Sequence, residues 1–372
     1  TGGYGIGTPL FRTQTAGVDY DKENFSYSAT ESSAYIKNTN AFRTPIALFE
    51  NYNDTKSVDT VKYFAKEDLN AGDTVMIHSL NGSYPFEYIL TENLVAGDSI
   101  EVIDIISSTF IVAIEKKVLM TRDALQFNKV ANWWEIASIT GIPSALSISA
   151  DGDVAYVGTL SGDLYKIAGI SDAVSEEAVS NVITLDELDA TAFNGQAITS
   201  IAIDPQNSDN VIVTLGNYGN TDYVFYSNNG GSSFTAKQGN LPSMPVYSSL
   251  IEKTTGKVIL GTENGIYSSE NMSTWNQDGL SNVPVMDLKQ QVIKNHDAKY
   301  THLVDEAGAV TTTEYAGISN EGIIYAATYG RGLYKCEDFV QKDGESIIEN
   351  PTSASSFEMS IYPNPVVSEA TI

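Results

Sequence analysis

The stretch that most constrains what this chain can fold into is residues 224–234, which read Val-Phe-Tyr-Ser-Asn-Asn-Gly-Gly-Ser-Ser-Phe. An apolar strand end runs directly into a turn rich in glycine, and an aromatic residue follows the turn. Glycine adopts the positive φ values that tight turns require, and Asn and Ser side chains hydrogen-bond the nearby backbone. The stretch therefore predicts a turn that joins two strands of one sheet.

A unit of this kind recurs along the chain. It consists of a polar-flanked strand, a turn, an apolar strand that ends in Gly-Thr, and a third strand that begins Gly-x-Leu/Ile-Tyr. Its tyrosines are Tyr165, Tyr226, Tyr267 and Tyr334. Their spacing is irregular but close to the roughly 40–50 residues of a four-stranded propeller blade with loop insertions. We therefore predict an all-β fold, a β-propeller of which about five blades are present and the N-terminal part is missing.

The turn Ser-x-Asn-x-Gly-x-Ser-Phe resembles the Asp-box pattern Ser-x-Asp-x-Gly-x-Thr-Trp. The resemblance implies that Ser227 and Asn229 bond turn amides, that Gly231 takes a positive φ, and that Phe234 packs beneath the turn. These roles are structural and carry no chemistry. Degenerate turns of the same type occur at residues 13–20, at Thr121 and Asp123, and at Ser269, Asn271 and Trp275.

Two segments do not fit the repeated unit. Residues 51–108 contain two similar stretches, Leu-Asn-Ala-Gly-Asp-Thr-Val from Leu69 and Leu-Val-Ala-Gly-Asp-Ser-Ile from Leu94, each with a Gly-Asp turn before an alternating strand. We expect a small β insertion in one blade. Residues 290–320 are polar and predict an extra hairpin or loop in the last blade.

Composition excludes several classes of function. The formal net charge is −26, from 47 acidic and 21 basic residues, and such a surface repels nucleic-acid backbones and anionic lipid. Cys336 is the only cysteine, so an intrachain disulfide and a multi-cysteine metal cluster are both impossible. The sequence contains no run of about 18 apolar residues, so it predicts no membrane-spanning helix. We expect no metal and no cofactor.

The two ends of the chain add an expectation each. The first residues, Thr-Gly-Gly-Tyr-Gly-Ile-Gly, are typical of the middle of a β domain, so we expect a missing N-terminal segment or a neighbouring chain to complete the propeller. Residues 337–357 are rich in Ser, Glu, Asp and Asn and predict a linker after a propeller portion at 1–336. Residues 358–372 hold the motif formed by Tyr362, Pro363, Asn364 and Pro365.

That motif resembles the opening of the C-terminal sorting domain of type IX secretion cargo in Bacteroidota. The resemblance implies export across the outer membrane, with the type IX translocon or shuttle as partner. The protein would then be secreted or lie on the extracellular face of the outer membrane. The remainder of such a sorting domain does not follow in these 372 residues. A Pro-pinned turn of the propeller itself is the alternative interpretation.

Residues 44–357 resemble the Asp-box (BNR-like) and sortilin-like propellers, a group that includes xyloglucanase-type and sialidase-type hydrolases. Sialidases of this fold need three arginines around a carboxylate, and the chain has only Arg12, Arg43, Arg122 and Arg331. Glycoside hydrolysis would need two carboxylates across a cleft. Asp104, Asp204 and Asp287 follow predicted strands, where a turn or cap role is more common.

Three Asp-Ser/Thr-aliphatic triplets in residues 51–108 match a pattern resembling the O-glycosylation sequon of Bacteroidota. Their hydroxyl acceptors would be Thr60, Thr74 and Ser99. The alternative is that Asp-Thr and Asp-Ser merely form the turn that starts a strand.

The sequence as a whole favours a secreted cell-surface module for binding or adhesion, or a scaffold, with a carbohydrate or protein ligand and no catalysis. The rival interpretation is a glycoside hydrolase whose catalytic carboxylates lie partly outside this chain. A third is that the chain acts mainly as cargo of the secretion machinery.

Overall fold

The computed structural model describes residues 44–114, 116–127, 129–294, 297–304, 310–315 and 317–340. Arg12, Arg43, the turn at residues 13–20, the linker from residue 341 onward and the Tyr362–Pro365 motif lie outside these ranges. Regular structure in the described ranges is almost entirely β-strand, with one helix and two 3-10 turns. None of it is a helix long and apolar enough to cross a membrane.

Two four-stranded antiparallel sheets come first along the chain. The first has the order β1-β6-β7-β8 and the second the order β12-β11-β10-β9. Their strands are β1 (Ile46–Asn51), β6 (Ser107–Ile114), β7 (Lys117–Thr121), β8 (Trp134–Ser138), β9 (Pro143–Ile148), β10 (Val154–Thr159), β11 (Leu164–Ala168) and β12 (Thr184–Leu188).

Three further sheets follow in chain order. Two are four-stranded meanders, β13-β14-β15-β16 and β17-β18-β19-β20, and the last is three-stranded, β21-β24-β25. A separate hairpin, β22 paired with β23, lies in the chain between β21 and β24. The strands are β13 (Ile198–Asp204), β14 (Asn207–Leu215), β15 (Val224–Ser227), β16 (Thr235–Ala236), β17 (Val246–Ile251), β18 (Val258–Thr262), β19 (Gly265–Ser269), β20 (Asn276–Ser281), β21 (Val285–Gln290), β22 (Lys299–Val304), β23 (Val310–Tyr315), β24 (Ile324–Thr328) and β25 (Leu333–Cys336).

This arrangement confirms the predicted fold class. Successive antiparallel sheets, each assembled from neighbouring strands of the sequence, are the blade units of an all-β propeller. The second strand of each meander is the most apolar and is buried, as in Val-Ala-Tyr-Val-Gly-Thr of β10 and Val-Ile-Leu-Gly-Thr of β18. Such continuous apolar runs occur where both faces of a sheet are covered.

The chain divides into two compact units. The first comprises the described parts of Thr1–Thr159, Asp163–Glu187 and Asp297–Gly317, and the second those of Leu160–Gly162, Leu188–His296 and Ile318–Ile372. In the first unit, Ile111, Met120 and Ile136 of one sheet share a buried core with Ala155 and Ile167 of the next. In the second unit, an equivalent core joins residues of β18 and β19 to residues of β21, β24 and β25.

One helix occurs that the strand pattern did not predict. Helix α1 (Glu176–Val182) lies between β11 and β12. Ser175 caps it, since its side chain accepts a hydrogen bond of 3.2 Å from the Ala178 amide, and Glu176 and Glu177 occupy the first turn. Both features stabilise a helix N-terminus. A seven-residue helix is too short to show a helical period in the sequence.

The segment between β1 and β6 contains four strands: β2 (Thr60–Phe64), β3 (Thr74–His78), β4 (Pro85–Ile89) and β5 (Ser99–Ile103). Strands β2 and β3 are repeated 25 residues later as β4 and β5. The first residues of these strands are Thr60 and Pro85 for one pair and Thr74 and Ser99 for the other. Pairing is exchanged between the copies, because β2 pairs with β5 and β3 with β4. The segment is therefore a duplicated strand-turn-strand motif in which each copy completes the other.

Backbone bonds at the two turns repeat the same symmetry. Leu69 and Leu94 bond each other reciprocally, at 2.8 and 3.0 Å. The Ala71 amide donates to Asn93 Oδ1 at 2.8 Å, and 25 residues later the Ala96 amide donates to Asp68 Oδ1 at 2.9 Å. The inward faces of both ladders form one apolar core with Val75, Ile77, Phe86, Leu90, Leu94 and Val102.

Two buried carboxylates fasten this duplicated segment at its ends. Asp54, before β2, accepts hydrogen bonds from Ser107 Oγ at 2.6 Å and Arg122 Nη2 at 2.6 Å. Asp104, after β5, is fully buried and accepts from Ser79 Oγ, the Leu80 amide and the Ile106 amide at 2.8, 2.7 and 3.1 Å. Burial raises the pKa of Asp104, and the three donors oppose that rise.

Asp104→Asn is expected to destabilise the protein by about 1–3 kcal/mol, because an amide nitrogen replaces one of the two acceptor oxygens and leaves a buried backbone N–H unpaired. Urea unfolding of the full chain measures the change. Asp98→Asn is the matched control, since Asp98 is exposed and its carboxylate accepts one backbone amide, that of Val95, among the described residues, and its effect stays within about 0.5 kcal/mol. Equal effects of the two substitutions would show that Asp104 is not an anchor.

Candidate functional site

The Ser227 turn is held by its own side chains. Ser227 Oγ accepts the amides of Asn229 and Gly231 at 3.3 and 2.9 Å and donates to Asn229 Oδ1 at 2.7 Å. Asn229 Oδ1 in turn accepts the Ser233 amide at 3.1 Å. Gly231 has a φ of 86°, a value that side chains with a Cβ rarely adopt. The turn is a closed hydrogen-bonded unit between β15 and β16.

Phe234 lies under this turn, half-buried. Its ring meets Phe193 edge to face at a centroid distance of 5.1 Å, and Phe193 meets Phe225 in the same way at 5.2 Å. Phe193 itself is fully buried. The aromatic residue after the turn therefore joins the strand end to the core of the second unit.

The Ser269 turn is a shorter version of the same device. Ser269 Oγ accepts the amides of Asn271 and Met272 at 3.3 and 2.9 Å, and Asn271 Oδ1 accepts those of Ser273 and Thr274, both at 2.9 Å. Trp275 is buried beneath the turn, and its Nε1 donates to the Lys237 carbonyl at 3.0 Å.

The Thr121 turn departs from the pattern. Thr121 Oγ1 accepts the Asp123 amide at 3.1 Å, as the serines do in the other turns. The Asp123 carboxylate instead accepts the amide of Asn132 at 2.8 Å and pairs with Lys129 Nζ at 2.8 Å. This carboxylate joins the turn to the chain leading into β8.

The second unit presents three strand connections on one face. Its first strands, β13, β17 and β21, run parallel. Ser200 Oγ accepts the Ser249 amide at 3.0 Å, and Ser248 Oγ accepts the Leu288 amide at 2.9 Å. Further along all three strands, Gln206 and Gln290 bond residues just after β17, so the contacts advance in the same direction. The connections between second and third strands therefore lie at the same end of the three sheets. We call residues 216–223, 263–264 and 329–332 the loop face.

Two tyrosines project from the loop face. Tyr329 is 75% exposed and Tyr218 is 68% exposed, the two highest values among the large apolar side chains in the described ranges. Tyr218 lies between two residues of positive φ, Asn217 at 62° and Gly219 at 108°. The Tyr329 amide donates to the Pro284 carbonyl at 2.9 Å. This hydrogen bond fixes the backbone at Tyr329, and both phenol rings are exposed to solvent.

A third tyrosine adds a polar group beside this face. The Tyr247 hydroxyl donates to Glu263 Oε2. Burial, with the neighbouring Glu263 carboxylate, raises the pKa of Tyr247. Exposed aromatic rings next to a carboxylate can stack on an apolar ligand surface and hydrogen-bond its polar groups.

The structure assigns different roles to the carboxylates and arginines. Asp204 caps its turn, with Gln206 N and Asn210 Nδ2 both at 2.9 Å, and Asp287 lies inside β21. Asp104 is inaccessible to a substrate. Arg122 forms an ion pair with Asp54. Arg331 is exposed and lies two residues after Tyr329 in the sequence.

The three hydroxyl residues of the Asp-Ser/Thr triplets are all exposed: Thr60 and Thr74 begin β2 and β3, and Ser99 begins β5. Two of the preceding aspartates cap turns, because Asp73 Oδ2 accepts the Asn70 amide at 2.8 Å and Asp98 Oδ2 accepts the Val95 amide at 3.0 Å. A capping aspartate leaves the neighbouring hydroxyl free, so the two interpretations of these triplets are compatible.

The loop face was not among the sequence predictions, although the sequence carries a signal for it. Tyr218 stands in Gly-Asn-Tyr-Gly-Asn and Tyr329 in Thr-Tyr-Gly-Arg-Gly. An aromatic residue among glycines and asparagines in a predicted turn cannot be covered by its own strand pair, and loops carry much of the binding function of proteins.

Comparisons with known proteins find limited structural similarity and no related sequence. No family model matches the sequence, and no curated protein matches it. Among solved structures, the chain is similar to the GH74 enzyme of Niastella koreensis, with 16% identity over 72% of this chain and 48% of that one and a TM-score of 0.37. The chain thus spans about half the length of that enzyme.

Two further solved structures show a similar level of likeness. Sqt1 from Chaetomium thermophilum has 13% identity over 77% of this chain and 67% of that one, with a TM-score of 0.42. The extracellular domain of a protein described as a one-component system from B. thetaiotaomicron has 15% identity over 83% of this chain and 36% of that one, with a TM-score of 0.39.

Ser227→Ala is expected to lower the free energy of unfolding by about 1–3 kcal/mol, because two turn amides lose their acceptor in a buried place. Ser232→Ala is the matched control in the same turn, since Ser232 is exposed and its hydroxyl donates to the Asn229 carbonyl, and it changes stability by no more than about 0.5 kcal/mol. Thermal or urea unfolding compares the two variants. An unchanged free energy of unfolding in Ser227→Ala would show that the hydroxyl does not stabilise the turn.

Proposed function

We propose that this chain is a binding module of the propeller class, with the loop face as its ligand surface. The observation that carries the proposal is the exposure of Tyr218 and Tyr329 on connections that share one end of three sheets. Aromatic side chains lose little conformational entropy when they bind, and they combine an apolar face with a hydroxyl. Rigid strands beneath the loops hold both rings in place for recognition.

The ligand is a carbohydrate or a protein surface. Each phenol ring can stack on the apolar face of a sugar or pack against a side chain, and its hydroxyl can then donate or accept a hydrogen bond. The strongly acidic composition of the chain disfavours anionic ligands of either kind.

We further propose that the module is exported and acts at the cell surface in adhesion or as a scaffold. The support is the resemblance of Tyr362, Pro363, Asn364 and Pro365 to a type IX sorting motif, together with a large net negative charge. The partner for export is the type IX translocon or its shuttle.

A glycoside hydrolase is the second candidate, and one observation favours it. Burial raises the pKa of Glu50, which lies in the first strand of the first sheet and accepts a hydrogen bond of 3.3 Å from Tyr52. A raised carboxyl pKa is what a general acid in glycoside hydrolysis requires. The catalytic pair would then lie partly outside this chain, with Glu50 as the member inside it.

Substitution of the loop-face tyrosines tests the binding proposal. A glycan array and a surface-protein binding screen with the full chain identify the ligand, and Tyr218→Ala and Tyr329→Ala each lower its affinity at least about tenfold, the equivalent of 1.4 kcal/mol. The thermal midpoint stays unchanged, because both rings are solvent-exposed.

Ile89→Ala is the control for that experiment, since Ile89 is comparably exposed on the duplicated segment and lies outside the loop face. Loss of affinity in Ile89→Ala with full affinity in both tyrosine variants would refute the loop face as the ligand surface. A hydrolysis screen on the same glycans separates the two candidate functions, because turnover that disappears in Glu50→Gln would establish the hydrolase instead.

We also propose O-glycosylation at Thr60, Thr74 and Ser99 of the native protein. Peptides that carry these residues, released from protein recovered at the surface of the producing cells, are expected to exceed their sequence masses by a common glycan mass. Thr60→Val, Thr74→Val and Ser99→Ala each remove the added mass from one peptide only. Unmodified peptides in surface-recovered protein would contradict the proposal.

A further inference from the structure

Three large apolar side chains are exposed on the strands of the duplicated segment. They are Phe64 of β2, Ile89 of β4 and Ile103 of β5, with exposed fractions of 59%, 64% and 49%. The inward-facing residues of the same strands form the apolar core of the segment, so these three lie on the outward faces of the two ladders. Single exposed apolar residues are common on protein surfaces, and it is the position of these three that is informative.

Each of these side chains lies directly opposite a hydroxyl residue of the paired strand. The pairs are Ser99 with Phe64, Thr60 with Ile103 and Thr74 with Ile89. All three hydroxyl residues are exposed. Side chains that are directly opposite in an antiparallel ladder lie on the same face, with Cβ atoms about 4.5–5.5 Å apart. Each hydroxyl is therefore next to an apolar surface that is open to solvent.

The three hydroxyl residues are also the ones that follow aspartate in the Asp-Ser/Thr-aliphatic triplets. Within strands β2 to β5, every exposed large apolar side chain faces one of these hydroxyls, and every one of these hydroxyls faces such a side chain. The remaining outward-facing pairs of the two ladders are Lys62 with Glu101, Met76 with Glu87 and His78 with Pro85. The register of the strands therefore combines acceptor hydroxyls with exposed apolar surface.

The internal repeat retains one of these pairs in both copies. At the offset of 25 residues Phe64 corresponds to Ile89 and Thr74 to Ser99, so the pair of Phe64 with Ser99 and the pair of Ile89 with Thr74 are equivalent. Two residues before Phe64 and Ile89, the outward residues are a lysine and a glutamate. Neither retained pair is of the aromatic–aromatic, aromatic–β-branched, hydroxyl–hydroxyl or opposite-charge type that stabilises a ladder by itself. The retained chemistry indicates a role outside the ladder.

A saccharide attached to the hydroxyl fits this arrangement. The faces of a sugar ring carry C–H groups and its rim carries hydroxyls, so one face can cover an apolar side chain while the rim stays in water. Removing apolar surface from water in this way is favourable. Because the sugar is tethered next to the side chain, the contact is intramolecular and costs little translational freedom. Phe64 has surface available for it, since Lys62 Nζ lies 5.8 Å from the ring centroid and the residue is still 59% exposed.

We propose that the first sugar attached to each acceptor hydroxyl lies over the apolar side chain directly opposite it. The pairs of acceptor and covered residue are Thr60 with Ile103, Thr74 with Ile89 and Ser99 with Phe64. This inference rests on the O-glycosylation proposed above and adds the place that the sugar occupies on the protein. The attached saccharides thereby remove the exposed apolar surface of both ladders from water.

Hydroxyl-radical footprinting read by mass spectrometry measures this coverage in the full chain. Protein recovered at the surface of the producing cells is compared with unmodified protein from a host that adds no glycan, and peptide masses establish the modification first. Oxidation of Phe64, Ile89 and Ile103 is expected to be at least about threefold slower on modified peptides, because a covering sugar excludes water and radicals from the side chain. The controls are Val95, 58% exposed on the same segment, and Tyr218, 68% exposed on the loop face, and both are oxidised equally fast in the two samples.

Single acceptor variants make the test specific to each pair. In surface-recovered protein, Ser99→Ala restores fast oxidation of Phe64 only, and Thr74→Val restores that of Ile89 only. In unmodified protein the same substitutions leave these oxidation rates unchanged.

The outcomes separate this inference from the glycosylation on which it rests. Modified peptides whose apolar residue is oxidised as fast as in unmodified protein would overturn the coverage and leave the glycosylation standing. Peptides without added mass would overturn both. Equal slowing of Val95 and Tyr218 would show general shielding by the glycans and would also overturn the pairwise coverage.

Discussion

Antiparallel meanders leave backbone N–H groups without ladder partners at every turn, and in this chain short polar side chains accept them. Ser227 and Ser269 each accept two turn amides through one hydroxyl oxygen, and Asn229 and Asn271 accept more through their side-chain carbonyls. An unpaired buried amide costs about 1–3 kcal/mol. The sheets can therefore repeat with short turns because each turn carries its own acceptors.

The same constraint explains the duplicated segment between β1 and β6. One strand-turn-strand copy has no partner for either strand, and an isolated two-stranded ladder is at best marginally stable. With two copies, β2 pairs with β5 and β3 pairs with β4, and the two ladders bury a common core. Asp54 then fixes the start of the segment to Ser107 of the first sheet, and Asp104 fixes the end of β5 to the connection between β3 and β4.

Features that depend on neighbouring residues were predictable from the sequence. The all-β class and the repeated meander follow from alternation, turn chemistry and spacing, which are local. The similar stretches at Leu69 and Leu94 predicted two turns that start strands, and β3 and β5 begin after them. The exchange of pairing between the copies was not predictable, because strand partners are chosen by packing over long sequence separations.

The loop face depends on such long separations. The exposure of Tyr218 and Tyr329 follows from the parallel alignment of β13, β17 and β21, which no single stretch encodes. The Nε1 of buried Trp134 has no acceptor among the described residues, and this depends on which residues the fold brings around the ring. Sequence pattern shows which residues are buried but does not show which polar atoms are satisfied.

The three Asp-box-like turns differ in what the side chain at their third position binds. In the Ser227 and Ser269 turns the amide side chain at the third position is consumed by the turn itself. In the Thr121 turn the corresponding Asp123 is directed to Lys129 and to the Asn132 amide, outside the turn. The Asp123 carboxylate thereby joins the turn to the chain that leads into β8. Departure from a repeated pattern is therefore where function is expected, because residues that break a local rule persist when another interaction compensates for them.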